Sequence, residues 1–118
     1  MSKMSCIVNK LLFENRIHYQ VEYSFPDLYG TFGKNKLKFD FAVFNDNNSL
    51  EYLIEWQGEQ HYGPVDEFGG EYQYEKQVQN DALKREYVKD HNIPLIGIPY
   101  KNKSLDHIKE ILIESSIL

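Results

Sequence analysis

The sequence predicts an α/β domain with the order α-β-β-β-α-β-α, a mixed sheet flanked by helices. Three observations predict it. Apolar residues recur at helical spacing near both ends, and they alternate with polar ones over 17–25, 37–44 and 50–57. A long helical segment then separates the third of these runs from a short apolar run at 94–100. A helix lying between two strands reads as a crossover, which joins strands running in the same direction.

Each element has its own signal. Met4, Ile7, Val8, Leu11 and Leu12 sit at helical spacing in "MSCIVNKLLFEN" (4–15). In "IHYQVEYSF" (17–25), Ile17, Tyr19, Val21, Tyr23 and Phe25 alternate and are expected on one strand face, with Pro26 and "YGTFGKNK" forming a loop. Leu37 to Phe44 is the second strand, "NDNN" (45–48) a hairpin turn, and Leu50 to Gln57 the third strand. "GEQHYGPVDEFGG" is too rich in Gly and Pro for a regular element. Residues 71–91 are helical in composition with a poorly defined apolar stripe, and Asn92 and Pro94 close that helix. "PLIGIPY" (94–100) is a short buried strand, and Ser104 caps a last helix reaching Glu114.

The 118 residues suffice for one domain with a real core, and 42% apolar and 26% charged residues are ordinary for a globular chain. The single cysteine, Cys6, excludes an intrachain disulfide and a cysteine-built zinc cluster, and it fits a reducing compartment. "MSKMSCIVNK" has no long apolar run and nothing reaches membrane-spanning length, so the expectation is a soluble, cytoplasmic protein with no membrane partner. The net charge of -5 does not advertise nucleic-acid binding. Its distribution says more: residues 41–70 hold six acids and no Lys or Arg. That window is either a solvated acidic surface or a site that needs a cation.

Two acids stand out because they interrupt apolar strands. Strict alternation puts Leu37, Phe39, Phe41 and Val43 on one face and Lys38, Asp40, Ala42 and Phe44 on the other. It likewise puts Leu50, Tyr52, Ile54 and Trp56 opposite Glu51, Leu53, Glu55 and Gln57. If the strands pair with their apolar faces together, Asp40, Glu55 and Gln57 project on the same side. Two carboxylates converging beside a backbone carbonyl make a seat for Mg²⁺, which lowers the pKa of a bound water. The alternative is that both acids face solvent on the open side of a half-covered sheet. His61, four residues beyond Gln57, is either a proton-handling group or a surface residue. Asp81 and Lys84, three apart on the long helix, are either a surface pair or site residues.

Five ordered blocks, "KFDFAVF", "IEWQGEQHY", "GPVDEFGGE", "NDALKREYV" and "NIPLIGIPY", together resemble small phage and bacterial endonucleases of the PD-(D/E)XK superfamily. The nearest branch is the one related to very-short-patch (Vsr) repair and phage homing endonucleases, and the resemblance covers residues 7 to 113. It implies a restriction-endonuclease-like core and hydrolysis of a DNA phosphodiester by a metal-activated water, in a bacterial cell, with the gene host- or phage-borne. By position, Asp40 and Glu55 match the Mg²⁺ ligands (Mn²⁺ substituting), and Gln57 stands where many members have Lys. His61 matches the histidine of a "GxxH" segment, and Asp81 and Lys84 match a helical "DxxK". Lys34, Lys36, Lys38 and Arg85 are the candidates for contact with the DNA backbone. Two departures accompany the match. Gln57 carries no positive charge, and Ser5 stands where related enzymes have a glutamate in the first helix, with Glu14 too near the helix end to replace it. No sequence-reading module is evident, so specificity would come from a homodimer or a separate partner. The alternative reading is a nuclease-like fold without chemistry that binds DNA or a protein.

Overall fold

The computed structural model describes residues 3–30, 33, 35–57, 70–99 and 104–118, the side chains of 70–73 excepted. Seven elements follow one another: α1 (Lys3–Glu14), β1 (His18–Tyr29), β2 (Lys36–Phe44), β3 (Leu50–Gln57), α2 (Gly70–Asp90), β4 (Leu95–Pro99) and α3 (Leu105–Glu114). The sheet order is β1-β2-β3-β4. The first three strands form an antiparallel meander, and β4 runs parallel to β3 after the α2 crossover. The expected α/β order and mixed sheet are therefore both present. No helix among the described residues is long and apolar enough to cross a membrane.

Helices cover both faces. On one, Met4, Val8, Leu11 and Leu12 of α1 and Ile108 and Leu112 of α3 pack with Phe41, Val43, Ile54 and Ile98 of the sheet. On the other, Val88 of α2 packs with Phe39, Ala42, Leu53 and Leu28. Asp81, Lys84 and Val88 are buried at helical spacing along α2. The poorly defined apolar stripe of this helix thus has a cause: its inward face carries two charged side chains.

All three helices end alike. Arg16, Asn92 and Ser116 adopt left-handed φ values of 57°, 55° and 65° just past α1, α2 and α3. The isoleucine that follows each one donates its N–H to a carbonyl five residues back: Ile17 to Leu12 at 3.0 Å, Ile93 to Val88 at 2.9 Å and Ile117 to Leu112 at 3.0 Å. Those isoleucines also pack against the cores. This is the Schellman closure with its apolar contact, made without glycine.

The 45–48 turn forms as its residues predict. The Asn45 side-chain oxygen accepts the N–H groups of Asn47 (2.9 Å) and Ser49 (3.0 Å), while Asn48 takes the left-handed conformation. β1 differs from expectation, continuing through Pro26 to Tyr29 rather than ending at Phe25. It is an edge strand, where a missing N–H is tolerated, and its pairing shifts between Ser24 and Tyr29.

Strict alternation also fails in β1 and β2. Phe39 packs with Ala42 under α2, whereas Phe41 and Val43 pack under α1 and α3. In β1, Tyr19 lies with the α1/α3 core and Tyr23 and Phe25 with the α2 core. Both strands change faces at one level, between the pairs Val21↔Phe41 and Tyr23↔Phe39, where Glu22 has a φ of 52°. The one-face assignments for 17–25 and 37–44 are corrected accordingly. Leu50 likewise joins the α2 side while Tyr52, Ile54 and Trp56 face α1 and α3, because pairing shifts between Val43 and Phe44.

Candidate functional site

The level at which β2 changes faces is the level of Asp40. Its carboxylate reaches the neighbouring strand, where Oδ2 accepts the Trp56 N–H at 2.7 Å. Trp56 itself packs toward α1 and α3, so Glu55 before it and Gln57 after it point toward α2. Glu55 is not on an open face. Its side chain is 13% exposed, and Lys84 of α2 donates to Glu55 Oε1 at 2.5 Å from an equally enclosed position. The Lys84 ammonium also lies 5.1 Å from the centre of the Phe39 ring. One turn earlier, Asp81 accepts from Gln77 Nε2 at 2.8 Å.

Burial raises the Glu55 carboxyl above its ordinary value; the Lys84 ammonium opposes the rise, and the Asp40 and Asp81 carboxylates add to it. Burial is the largest of these influences, and the ammonium outweighs either carboxylate taken alone. Beside this cluster lies a cavity of about 180 Å³, lined by Glu55, Gln57, Asp81, Lys84 and Arg85 and closed on the β4 side by Leu95 and Gly97. A Cβ on Gly97 would collide with the Gln57 carboxamide, so the Gln57 side chain lies across the β4 backbone.

The structure brings together Asp40, Glu55, Gln57, Asp81, Lys84 and Arg85 from three separate elements. The solvent-facing alternative is overturned for Glu55, and the surface-pair reading is overturned for Asp81 and Lys84, which are buried. Lys36 and Lys38 are exposed on β2, away from the cavity wall. His61 and Lys34 lie outside the described residues. Ser5 is half-buried on α1, which covers the opposite face of the sheet from α2. The acidic window divides: Asp46 and Glu51 are exposed at the β2–β3 hairpin, and Glu55 alone of its described acids reaches the site. Leu95 and Gly97 were not singled out by sequence, although a glycine inside a strand run signals close approach of another group.

Carboxylate and carboxamide oxygens are the donor type that a hard divalent cation takes, and here they share the wall with the cationic Lys84 and Arg85. Among the described residues no three His, Cys, Asp or Glu side chains are grouped to hold a metal.

No family model matches the chain, and no solved structure matches it significantly. Over 69 residues it is 36% identical to a protein of Frog virus 3 (isolate Goorha) named "Uncharacterized protein 094L", a stretch covering 56% of this chain and 44% of that one. The chain thus matches less than half the length of this viral relative.

Proposed function

We propose that this chain is a metal-dependent DNA endonuclease or nickase of the PD-(D/E)XK type, close to the Vsr-like and homing-endonuclease branch. One observation carries the reading. Glu55 of β3 is drawn under α2 onto Lys84, beside Asp40 and Asp81, so acids and a cation from three elements share one enclosure. These are the positions at which the resemblance expects metal ligands and charge-stabilising groups.

Asp40 and Glu55 would hold Mg²⁺ or Mn²⁺, which when bound supplies an acidified water and neutralises charge on the phosphate. The rest is the work of the chain's own side chains. Asp40 is tied to the β3 backbone through Trp56, which fixes its carboxylate relative to Glu55. Lys84 holds its ammonium at the cavity wall, where it stabilises charge developing on a phosphoryl oxygen once Glu55 is engaged elsewhere. Asp81 shares that wall and orients polar groups there. Gln57 adds a neutral amide where many such enzymes place Lys. His61 is the candidate for moving a proton to or from the attacking water or the leaving group. Lys34, Lys36, Lys38 and Arg85 are the candidates for DNA-backbone contact. One site cuts one strand, so a double-strand break calls for a dimer or successive nicks.

A second reading, a non-catalytic module binding DNA or a protein, is favoured by two features. Lys84 already occupies Glu55, and Ser5 brings no carboxylate to the first helix.

The deciding experiment is cleavage of supercoiled plasmid with Mg²⁺ or Mn²⁺. Asp40→Asn keeps a carbonyl oxygen for the Trp56 N–H and so preserves the fold. Metal-dependent nicking that vanishes in Asp40→Asn is the expected result, and cleavage retained in that variant overturns the site. Absence of both cleavage and Mn²⁺ binding in the unaltered protein would favour the non-catalytic reading.

A further inference from the structure

Gly97 is the position on β4 directly paired with Glu55, and its missing side chain would point, like Glu55, toward α2. That space is not empty. A Cβ built there would collide with Gln57 Nε2 and come within 3.0 Å of Gln57 Cδ and 3.6 Å of Gln57 Oε1. Gln57 is paired with Pro99, two residues further along β4, so its side chain leans back along the strand onto the Gly97 backbone. Gly97 has no left-handed φ, so its backbone conformation does not call for glycine; the close approach of Gln57 does. The colliding atoms are the far end of a flexible side chain, which can move without disturbing the sheet. Gly97 and Gln57 both line the cavity that holds Glu55, Asp81 and Lys84, so displacing the carboxamide changes the lining of that cavity.

We propose that Gly97 is a positioning residue for the site: the absent Cβ lets the Gln57 carboxamide rest against the β4 backbone beside Glu55, and a side chain at 97 would drive it from that seat. The proposal rests on the metal-dependent reading above for its functional consequence, though not for the seating itself. Residue 97 thereby sets how much of the cavity is open to a cation or phosphate and where the neutral amide is presented.

Two readouts on Gly97→Ala, Gln57→Ala and the double variant test this. The first is the side-chain amide NMR signal of Gln57, identified by its disappearance in Gln57→Ala. Gly97→Ala should shift that signal while leaving the thermal midpoint nearly unchanged, and an unshifted signal overturns the seating. The second is Mn²⁺ binding by calorimetry. Gly97→Ala should weaken it by about tenfold in the natural background, and by much less in Gln57→Ala, because nothing is left to displace. Equal weakening in both backgrounds would show that the methyl group acts on the cavity directly and would overturn the positioning role. If the unaltered protein binds no Mn²⁺, the metal-site reading fails, and the amide signal still decides the seating on its own.

Discussion

At Glu55, burial and two neighbouring carboxylates oppose ionisation, and the ammonium of Lys84 favours it. With the folded-state value raised, the folded protein binds more protons than the unfolded chain between the two values, so this contribution to stability is present below about pH 4.5 and is lost as pH rises through the folded value. Urea unfolding from pH 4 upward should therefore show the stability of the unaltered protein falling relative to Glu55→Gln as pH increases. A relative rise would mean that Lys84 outweighs burial. The pair also has a mutational signature at pH values where Glu55 is ionised. Lys84→Met leaves an enclosed carboxylate without its ammonium and should cost about 3 kcal/mol, whereas the double variant with Glu55→Gln should recover most of that loss. Which acid would matter was only half legible in the sequence. Glu51 and Glu55 share a strand parity, yet Glu51 is exposed at the hairpin and Glu55 is enclosed. The difference comes from where α2 docks, and that helix carries no apolar stripe from which its docking could be read.

Among the elements, the helix ends offer the clearest test. Arg16 and Ser116 hold left-handed backbone that costs a non-glycine L-residue about 1 kcal/mol or more. Arg16→Gly and Ser116→Gly should each stabilise the protein by up to about 1 kcal/mol in thermal or urea unfolding, after the added freedom of the unfolded chain is subtracted. Ala at either position should bring no comparable gain. The strands and the 45–48 turn were legible because period-two patterning and an Asn-rich turn are local signals. The change of face at Asp40 was not. Phe39 and Phe41 are both apolar and both buried, so the pattern reads as unbroken alternation although the two rings enter different cores. Pro26 misled for a related reason. It reads as a strand terminator, but on an edge strand its missing N–H leaves no ladder bond unmade.

On the scale of the whole molecule, the three helices and four-stranded sheet of the described residues leave the candidate site on the α2 side, with β2 running from it toward exposed lysines. Along a strand rising about 3.3 Å per residue, Lys38 and Lys36 fall roughly 7 and 13 Å from Asp40, both on the same side of it, and they alternate with Leu37 and Phe39 of the α2 core and so face the other side of the sheet. If these side chains contact the DNA backbone, Lys36→Ala and Lys38→Ala should each weaken binding similarly for all sequences. Each should also flatten the dependence of log affinity on log salt by about 0.9. Fluorescence anisotropy over a salt series measures both effects, and an unchanged slope would remove these lysines from the interface.

The simultaneous change of face in β1 and β2 bears on how this chain can diverge. The segment joining the two strands can gain or lose residues without altering which rings enter which core. Within the strands the rule is stricter. A residue inserted in either of them near Glu22 or Asp40 would exchange every inward and outward position of that strand on one side of the crossing. Relatives that keep the fold should therefore vary in length between β1 and β2 and keep the length of both strands at the crossing.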